Sequence, residues 1–425
     1  MTDATAAARV DEFTRASYGR LLALLSAPTR DIAAAEDALS DAVESALRSW
    51  PESGVPTNPE GWLFTVARNK LRDRYRSAAY RTSVELDDTT TAIPAPDAIP
   101  EPIEDKRLAL LFVCAHPAIN QNAHTPLMLQ TVLGVDAAKI AQAYAIPAST
   151  MAQRLVRAKR RIRDAGIAFV VPEREALPGR LETVLEAVYG AFAVDWQGIA
   201  GMRERDSLAG EALHLARTLA ELLPDEPEVL GLNALIALSE SRSKTRIDDD
   251  GVLVPIDEQD PAHWDATLID EGESLLARAH DLGRVGRFQL EAAVQSVHCD
   301  RRRTGRTDWA ALATLYHALL DRAPTLGAAV SLAIVVGEIN GPAEGLARLG
   351  GIDDTRLARF QPAWAARAHL LAELGETAAA ETAYGRAIAL TTDPAMRALL
   401  ARRRAAVNSN SGEAATDVTS VGSQP

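Results

Sequence analysis

Apolar residues recur at intervals of three and four along most of the chain, the spacing that lines one face of an α-helix. In residues 61–76 the stripe is Leu63, Val66, Ala67 and Leu71. In residues 150–163 it is Met151, Leu155, Ala158 and Ile162. Runs of β-branched residues are scarce, while Ala, Leu, Arg and Glu are abundant, a composition that favours helices. The pattern therefore predicts an all-α protein. Breaks in the pattern divide it. Residues 9–82 read as a first helical unit. Residues 83–102 (SVELDDTTTAIPAPDAIPEP) lack helical period and are rich in Pro, Thr and acid, as a flexible linker is. Residues 103–166 read as a second helical unit that ends in a basic helix. Residues 167–407 are a long run of amphipathic helices with short Gly/Pro breaks, and residues 408–425 (NSNSGEAATDVTSVGSQP) read as a disordered tail.

The long C-terminal run carries the trace of a repeat. Trp364, Ala368, Leu371, Gly375, Ala380, Tyr384 and Ala387 fall at the spacing of a tetratricopeptide helix–turn–helix pair. The small residues Ala368 and Ala380 let two helices approach, and Gly375 permits the turn. A fainter trace runs from Ala212 through Pro224 to Leu230 and Ala234. Plain helical hairpins are the alternative, and both readings give stacked helices.

Length and charge sharpen the division. A chain of 425 residues is too long for one small core. Its net charge of −13 is unevenly spread. Residues 1–163 hold 20 Lys and Arg against 19 Asp and Glu, a balance of +1, and the remainder hold 25 against 39, a balance of −14. Nucleic acid is thus expected at the first part alone. The two cysteines, Cys114 and Cys299, form no CxxC pair, so a zinc site or disulfide framework is not expected. Neither a signal peptide nor an apolar run of membrane-spanning length is legible, and the expected location is cytoplasmic, away from any membrane.

Two basic elements are candidate nucleic-acid surfaces. In the first, GWLFTVARNKLRDRYR (61–76), Asn58-Pro59-Glu60 supplies a helix start, with Asn as cap and Pro at the first helical position. Arg68, Arg72 and Arg76 recur every four residues opposite the apolar stripe, with Asn69 beside them, while Arg74 falls near the stripe. Guanidinium groups on a rigid rod suit a phosphate backbone, and Asn can read a base edge. The second, DAAKIAQAYAIPASTMAQRLVRAKRRIR (136–163), reads as helix, tight turn, helix. Ile140, Ala141, Tyr144, Ile146 and Met151 are the expected shared core. Ser149, Thr150, Gln153 and Arg154 lie in the first turns of the second helix, the part that enters a major groove. Ala145 holds the turn position where Gly is common. Between these elements and the N-terminus, residues 31–50 form an acidic helix with Glu36, Asp37 and Asp41 on or near one face. No internal partner for these carboxylates is visible in the sequence, so the face suits a docking partner.

Taken in order, three sets of motifs resemble the extracytoplasmic-function group of sigma factors of bacterial RNA polymerase: Ala35-Glu36-Asp37; Gly61-Trp62-Leu63 through Ala67-Arg68-Asn69 and Arg72-Asp73; and Thr150 through Leu155 with Arg157-Ala158. The resemblance covers residues 9–166. The stretches 177–192, 224–238 and 248–264 resemble the subgroup with a tetratricopeptide-like C-terminal extension. The resemblance implies a sigma region 2 over 9–82, a region 4 with a helix-turn-helix over 103–166, and an appended helical domain. It implies that Glu36, Asp37 and Asp41 dock on the clamp of the largest polymerase subunit, with region 4 on the flap. It also implies that the loop from Trp50 to Glu60 receives a flipped base of the −10 element. Asn69, Arg72 and Arg76 would contact DNA near the melted segment. Ser149, Thr150, Gln153, Arg154 and Arg157 would read the −35 element. The family often carries Gln-Glu where this chain has Ser40-Asp41, Lys where Ala152 stands and Gly where Ser149 stands. Trp50 and Trp62 would stack on unpaired bases or serve as hydrophobic anchors, and for Trp62, at the helix start, the anchor is preferred.

No catalytic motif or cofactor cradle is legible. Cys114-Ala115-His116 lacks the second pair a metal site needs. In the Asp248–Gly251 stretch Arg246 and Asp257 stand where a calcium loop needs its first and last ligands, so an acidic turn is the reading. The expected partners are core RNA polymerase, promoter DNA and, through the C-terminal domain, an anti-sigma or other protein. The alternatives are a polymerase-independent helix-turn-helix regulator and a tetratricopeptide scaffold.

Overall fold

The computed structural model describes residues 17–82, 106–144, 146–173, 176–196, 208–353 and 355–419. Among them the regular structure is helical, with one isolated antiparallel bridge between Ile247 and Leu253. The chain divides into two compact units. One holds Met1–Val194 with Met202–Leu215, the other Asp195–Gly201 with Ala216–Pro425. The linker of 83–102 and the chain before residue 17 lie outside the described residues.

The first unit opens with helix α1 (residues 17–29) and α2 (Ile32–Ser53). Asp31 starts α2 by accepting the Ala34 amide at 3.1 Å. Ile32, Ala35, Leu39, Ala42 and Ala46 form its buried stripe, and Gly54, at φ 83°, ends it. Helix α3 (Pro59–Thr82) begins as its sequence indicates, with Asn58 Oδ1 accepting the Gly61 amide at 2.9 Å. It packs on α2 through Leu63, Ala67 and Leu71, all buried. At the open end of the pair Trp50 and Trp62 meet edge to face, 5.5 Å between centroids. Trp50 is 1% exposed, so it is an anchor and no base can stack on it in this conformation.

Helices α4 (Arg107–Cys114), α5 (Gln121–Thr131), α6 (Ala137–Ala143) and α7 (Ala148–Asp164) follow. Ile140 and Ala141 of α6 are buried, as are Met151, Leu155, Ala158 and Ile162 of α7. Tyr144, expected in that shared core, is 39% exposed. A phenol whose hydroxyl needs water or a polar partner sits at a rim more readily than in a core. Ala145, the turn position, lies outside the described residues.

The boundary expected at residue 167 moves. Ile167 and Phe169 are buried, and α8 (Leu177–Trp196) belongs to the first unit through Val194. Leu181, Val184, Leu185, Val188 and Phe192 give α8 a buried face, and Gly190 lies against Thr125 of α5. A long apolar face needs a partner wherever the nearest one is, and that drew α8 into the first unit.

The second unit takes over within α9 (Leu208–Leu222), ahead of α10 (Pro227–Glu240), which is buried from Val229 through Ser239. Around α10 pack α11 (Ala266–Asp281) and α12 (Arg287–Cys299). The one-turn α13 (Arg301–Thr304) leads to α14 (Trp309–Arg322), α15 (Leu326–Asn340), α16 (Pro342–Gly350), α17 (Gln361–Glu373), α18 (Thr377–Leu390) and α19 (Pro394–Thr419). Each of α14 to α19 packs chiefly on its neighbours in sequence, the order of a stacked-hairpin array. Ala368, Ala380, Tyr384 and Ala387 are buried in the α17–α18 pair, and Gly375 turns at φ 76°. Helix α19 continues to Thr419, past the tail boundary expected at 408. Extending a helix is far easier than nucleating one, and no Pro interrupts residues 408–419.

Candidate nucleic-acid and polymerase interfaces

Helix α3 presents Asn69 and Arg76 to solvent, with Arg72 half-buried beside them. Arg68 lies over the Phe64 ring at 5.7 Å. Partial burial, and then the neighbouring Arg72 cation, hold the Arg68 guanidinium below its ordinary pKa. The Arg72 Nε is buried and makes no hydrogen bond. Two cations that repel each other on one rigid face are stabilised by an external anion, and a phosphate backbone supplies one. Arg74 points elsewhere and pairs with Asp37 at 2.5 Å.

Helix α7 exposes Ser149, Thr150, Ala152, Gln153, Val156, Arg157, Arg160 and Arg161. Arg157 Nε donates to the Gln153 carbonyl at 3.2 Å, and Arg161 Nε to the Ala118 carbonyl at 3.2 Å. Arg154 is partly covered, and its guanidinium donates to the Asn122 carbonyl at 3.2 Å. In this conformation it braces α7 against α5, while Gln153 and Arg157 are exposed on the outer face. Val156 is 65% exposed in the middle of that basic face, which the pattern of charged positions does not single out. Its signal was an apolar residue off the buried stripe.

The acidic helix departs most from expectation. Glu36 is ion-paired: Lys159 Nζ lies 2.6 Å from each of its carboxylate oxygens, with the lysine side chain 9% exposed. Asp37 is held by Arg74. Both carboxylates therefore have internal partners that the sequence did not reveal, and Lys159, one of the cations of the basic helix α7, is buried. The reason is positional: Lys159 lies four residues after Leu155 and three before Ile162, on the edge of the buried stripe. Asp41 is exposed and makes no ion pair among the described residues.

The Cys114–His116 and Asp248–Gly251 stretches are held by internal contacts. Cys114 is fully buried against Thr131, and burial pushes its thiol up to about 12, so it stays protonated. His116 Nδ1 accepts the Ala118 amide. Asp248 turns its own loop by accepting the Asp250 and Val252 amides and faces Arg402 at 3.4 Å. Glu338, His369 and Glu373 bring one ligand atom each within 4.8 Å on the surface of α15 and α17, with His369 in contact with Glu373 at 3.4 Å.

Comparison with known proteins bears on these surfaces. Residues 13–81 match sigma-70 region 2, and residues 180–280 match a family of unknown function, DUF6596. The chain is 33% identical over 372 residues to the uncharacterized protein R00370 of Rhizobium meliloti, a match that spans 86% of this chain and 88% of that protein. The chain belongs to the family of R00370. It is also 30% identical over 166 residues to the probable RNA polymerase sigma factor RfaY of Xanthomonas campestris, across 35% of this chain and 40% of that protein. Region 2 together with the RfaY match supports a sigma factor. No solved structure gives a significant match. No helix among the described residues is long and apolar enough to cross a membrane.

Proposed function

We propose that this protein is a sigma factor of the extracytoplasmic-function group. In this reading it binds core RNA polymerase, reads −10 and −35 promoter elements and catalyses nothing itself. The observation that carries the reading is the pairing of two basic faces in one unit. One is the Arg68–Arg72–Arg76 face of α3, within the region 2 match. The other is the Ser149–Gln153–Arg157 face of α7, after a short turn. Helices α6 and α7 act as the helix-turn-helix of region 4. Ser149, Thr150, Gln153 and Arg157 face the major groove, and Arg154 aligns the helix.

Melting needs no hydrolysis in this scheme. A flipped base leaves the stack at the expense of a few kcal/mol, and contacts that exist only in the open state return it. The loop from Gly54 to Asn58 receives that base, and Trp50 and Trp62 form the floor that shapes the loop. Asp41 and the acids near it dock on the polymerase clamp. The second unit is a tetratricopeptide-like array that binds a protein partner or regulates the first.

Transcription in vitro with core polymerase and a random promoter library tests the reading. The full chain is expected to direct initiation from templates that share two spaced elements. Transcripts that start identically with and without it would overturn the proposal.

A further inference from the structure

In the second unit the C-terminal ends of α15 and α17 meet. Glu338 lies in the last turn of α15, and His369 and Glu373, four residues apart on one face, end α17. One ligand atom of each of the three lies within 4.8 Å of the other two. The helices touch beside them: a Cβ on Gly337 would lie 2.7 Å from Cδ2 of Leu370. His369 Nε2 and a Glu373 carboxylate oxygen are 3.4 Å apart. Two ligands bound at about 2.0–2.1 Å to one tetrahedral zinc-type ion also stand about 3.4 Å from each other.

The charges of this cluster are one-sided. A helix C-terminus carries partial negative charge, so it disfavours carboxylates and favours cations. Here two such ends bring Glu338 and Glu373 together. Asp257, in the loop before α11, acts on Glu338 as a third carboxylate, and Arg301 holds that loop by donating to the Ile256 and Asp257 carbonyls. Partial burial, then Glu373 and Asp257, hold the Glu338 carboxyl above its ordinary pKa, with His369 opposing. Among the described residues no Lys or Arg forms an ion pair with these three carboxylates. Arg403, which acts on Tyr384 beside Glu373, is paired with Glu258 at 2.7 Å. A small divalent cation that takes oxygen and imidazole ligands together balances this set.

We propose that Glu338, His369 and Glu373 form a binding site for a divalent transition-metal ion of the zinc type. Three protein ligands leave a position for water, the arrangement of an open, exchangeable site. An imidazole among carboxylates disfavours Ca²⁺ and Mg²⁺, which prefer oxygen ligands throughout, and Cu⁺, which prefers sulfur. The ion ties the end of α15 to the end of α17 across α16 and stiffens that part of the array. The site lies wholly in the second unit and is independent of the sigma-factor reading.

Titration of the full-length, chelator-stripped chain with Zn²⁺ against a chromophoric chelator tests this, with Co²⁺ as a visible probe of the ligands. The wild type is expected to take up one Zn²⁺ per chain and to gain thermal stability from it. Its Co²⁺ form should show no thiolate charge-transfer band, since Cys114 and Cys299 are buried. His369→Gln and Glu338→Gln, each checked for wild-type helicity, are expected to weaken Zn²⁺ binding more than about tenfold, the least that loss of a ligand's outer partner does. His317→Gln, an exposed histidine on α14, is expected to leave binding unchanged. Absence of Zn²⁺ uptake by the wild type would overturn the site. So would wild-type affinity in Glu338→Gln, which would leave His369 and Glu373 as a surface ion pair only. Equal weakening in His317→Gln would also overturn it, because the uptake would then be adventitious binding by exposed histidines.

Discussion

Gln153 and Arg154 are adjacent in sequence and differ in what surrounds them. Gln153 is exposed on the outer face of α7, and a glutamine there can bond an adenine edge with two hydrogen bonds. Arg154 spends a donor on the Asn122 carbonyl. In the proposed function, Gln153→Ala is expected to flatten base preference at one −35 position by about 1–3 kcal/mol and to leave the fold intact. Arg154→Ala is expected to lower binding to all promoters together, with a loss of thermal stability, because α7 loses its brace. Transcription from a set of single-base −35 variants separates the two. A position-specific effect from Arg154→Ala with unchanged stability would show that its guanidinium reads a base. At this scale the sequence was partly legible. The Asn58 cap and the α7 stripe follow from local rules. Glu36 and Lys159 lay on the edges of two stripes, each within a turn of buried residues, yet their pairing depends on two segments 123 residues apart meeting in space. No local pattern encodes that meeting.

Among the elements, α12 carries a pH sensitivity. His298 sits near its end, beside Arg242 and Arg301. Burial, and then those two cations, lower its pKa from 6.5 to about 4, with Asp257 opposing. The folded form therefore holds His298 neutral while the unfolded chain protonates it below pH 6.5. This contribution to stability is fully present above pH 6.5 and is lost as pH falls toward 4. Between pH 7 and pH 5 the loss is about 2 kcal/mol. Hydrogen exchange of α12, corrected for intrinsic rates, should show that loss in the wild type and a smaller one in His298→Asn. Equal losses would mean that other groups dominate. Helix boundaries in this region were readable from Gly375, Pro224 and the small residues of the α17–α18 pair. The membership of α8 was not, because its apolar face fits a partner in either unit and the choice is made by tertiary contact.

For the whole molecule, net charge is the governing quantity. The chain carries −13, with −14 after residue 163 and +1 before it, and DNA is a polyanion. Six cations, Arg154, Arg157, Lys159, Arg160, Arg161 and Arg163, lie along α7, enough for a log–log salt slope of about −5 if all met phosphate. The structure withdraws two, since Lys159 is bound to Glu36 and Arg163 faces both Asp31 and Asp164, while the exposed Arg160–Asp164 pair at 3.4 Å is screened by solvent and leaves Arg160 available. Arg154, Arg157, Arg160 and Arg161 remain, which corresponds to a slope of about −4. The free chain is therefore expected to bind a promoter fragment no more tightly than non-specific proteins do, with Kd on the order of 10⁻⁵ M at physiological salt. Glu36→Gln releases Lys159 and should steepen the slope by about one while raising affinity at low salt. Titration of labelled promoter DNA across a salt series reads both quantities. Nanomolar binding by the free wild-type chain would show that neither the acidic balance nor the internal pairing of α7 restrains it. If Glu36→Gln leaves the slope unchanged, Lys159 does not reach phosphate once freed, and repulsion from the acidic remainder of the chain is then the dominant restraint.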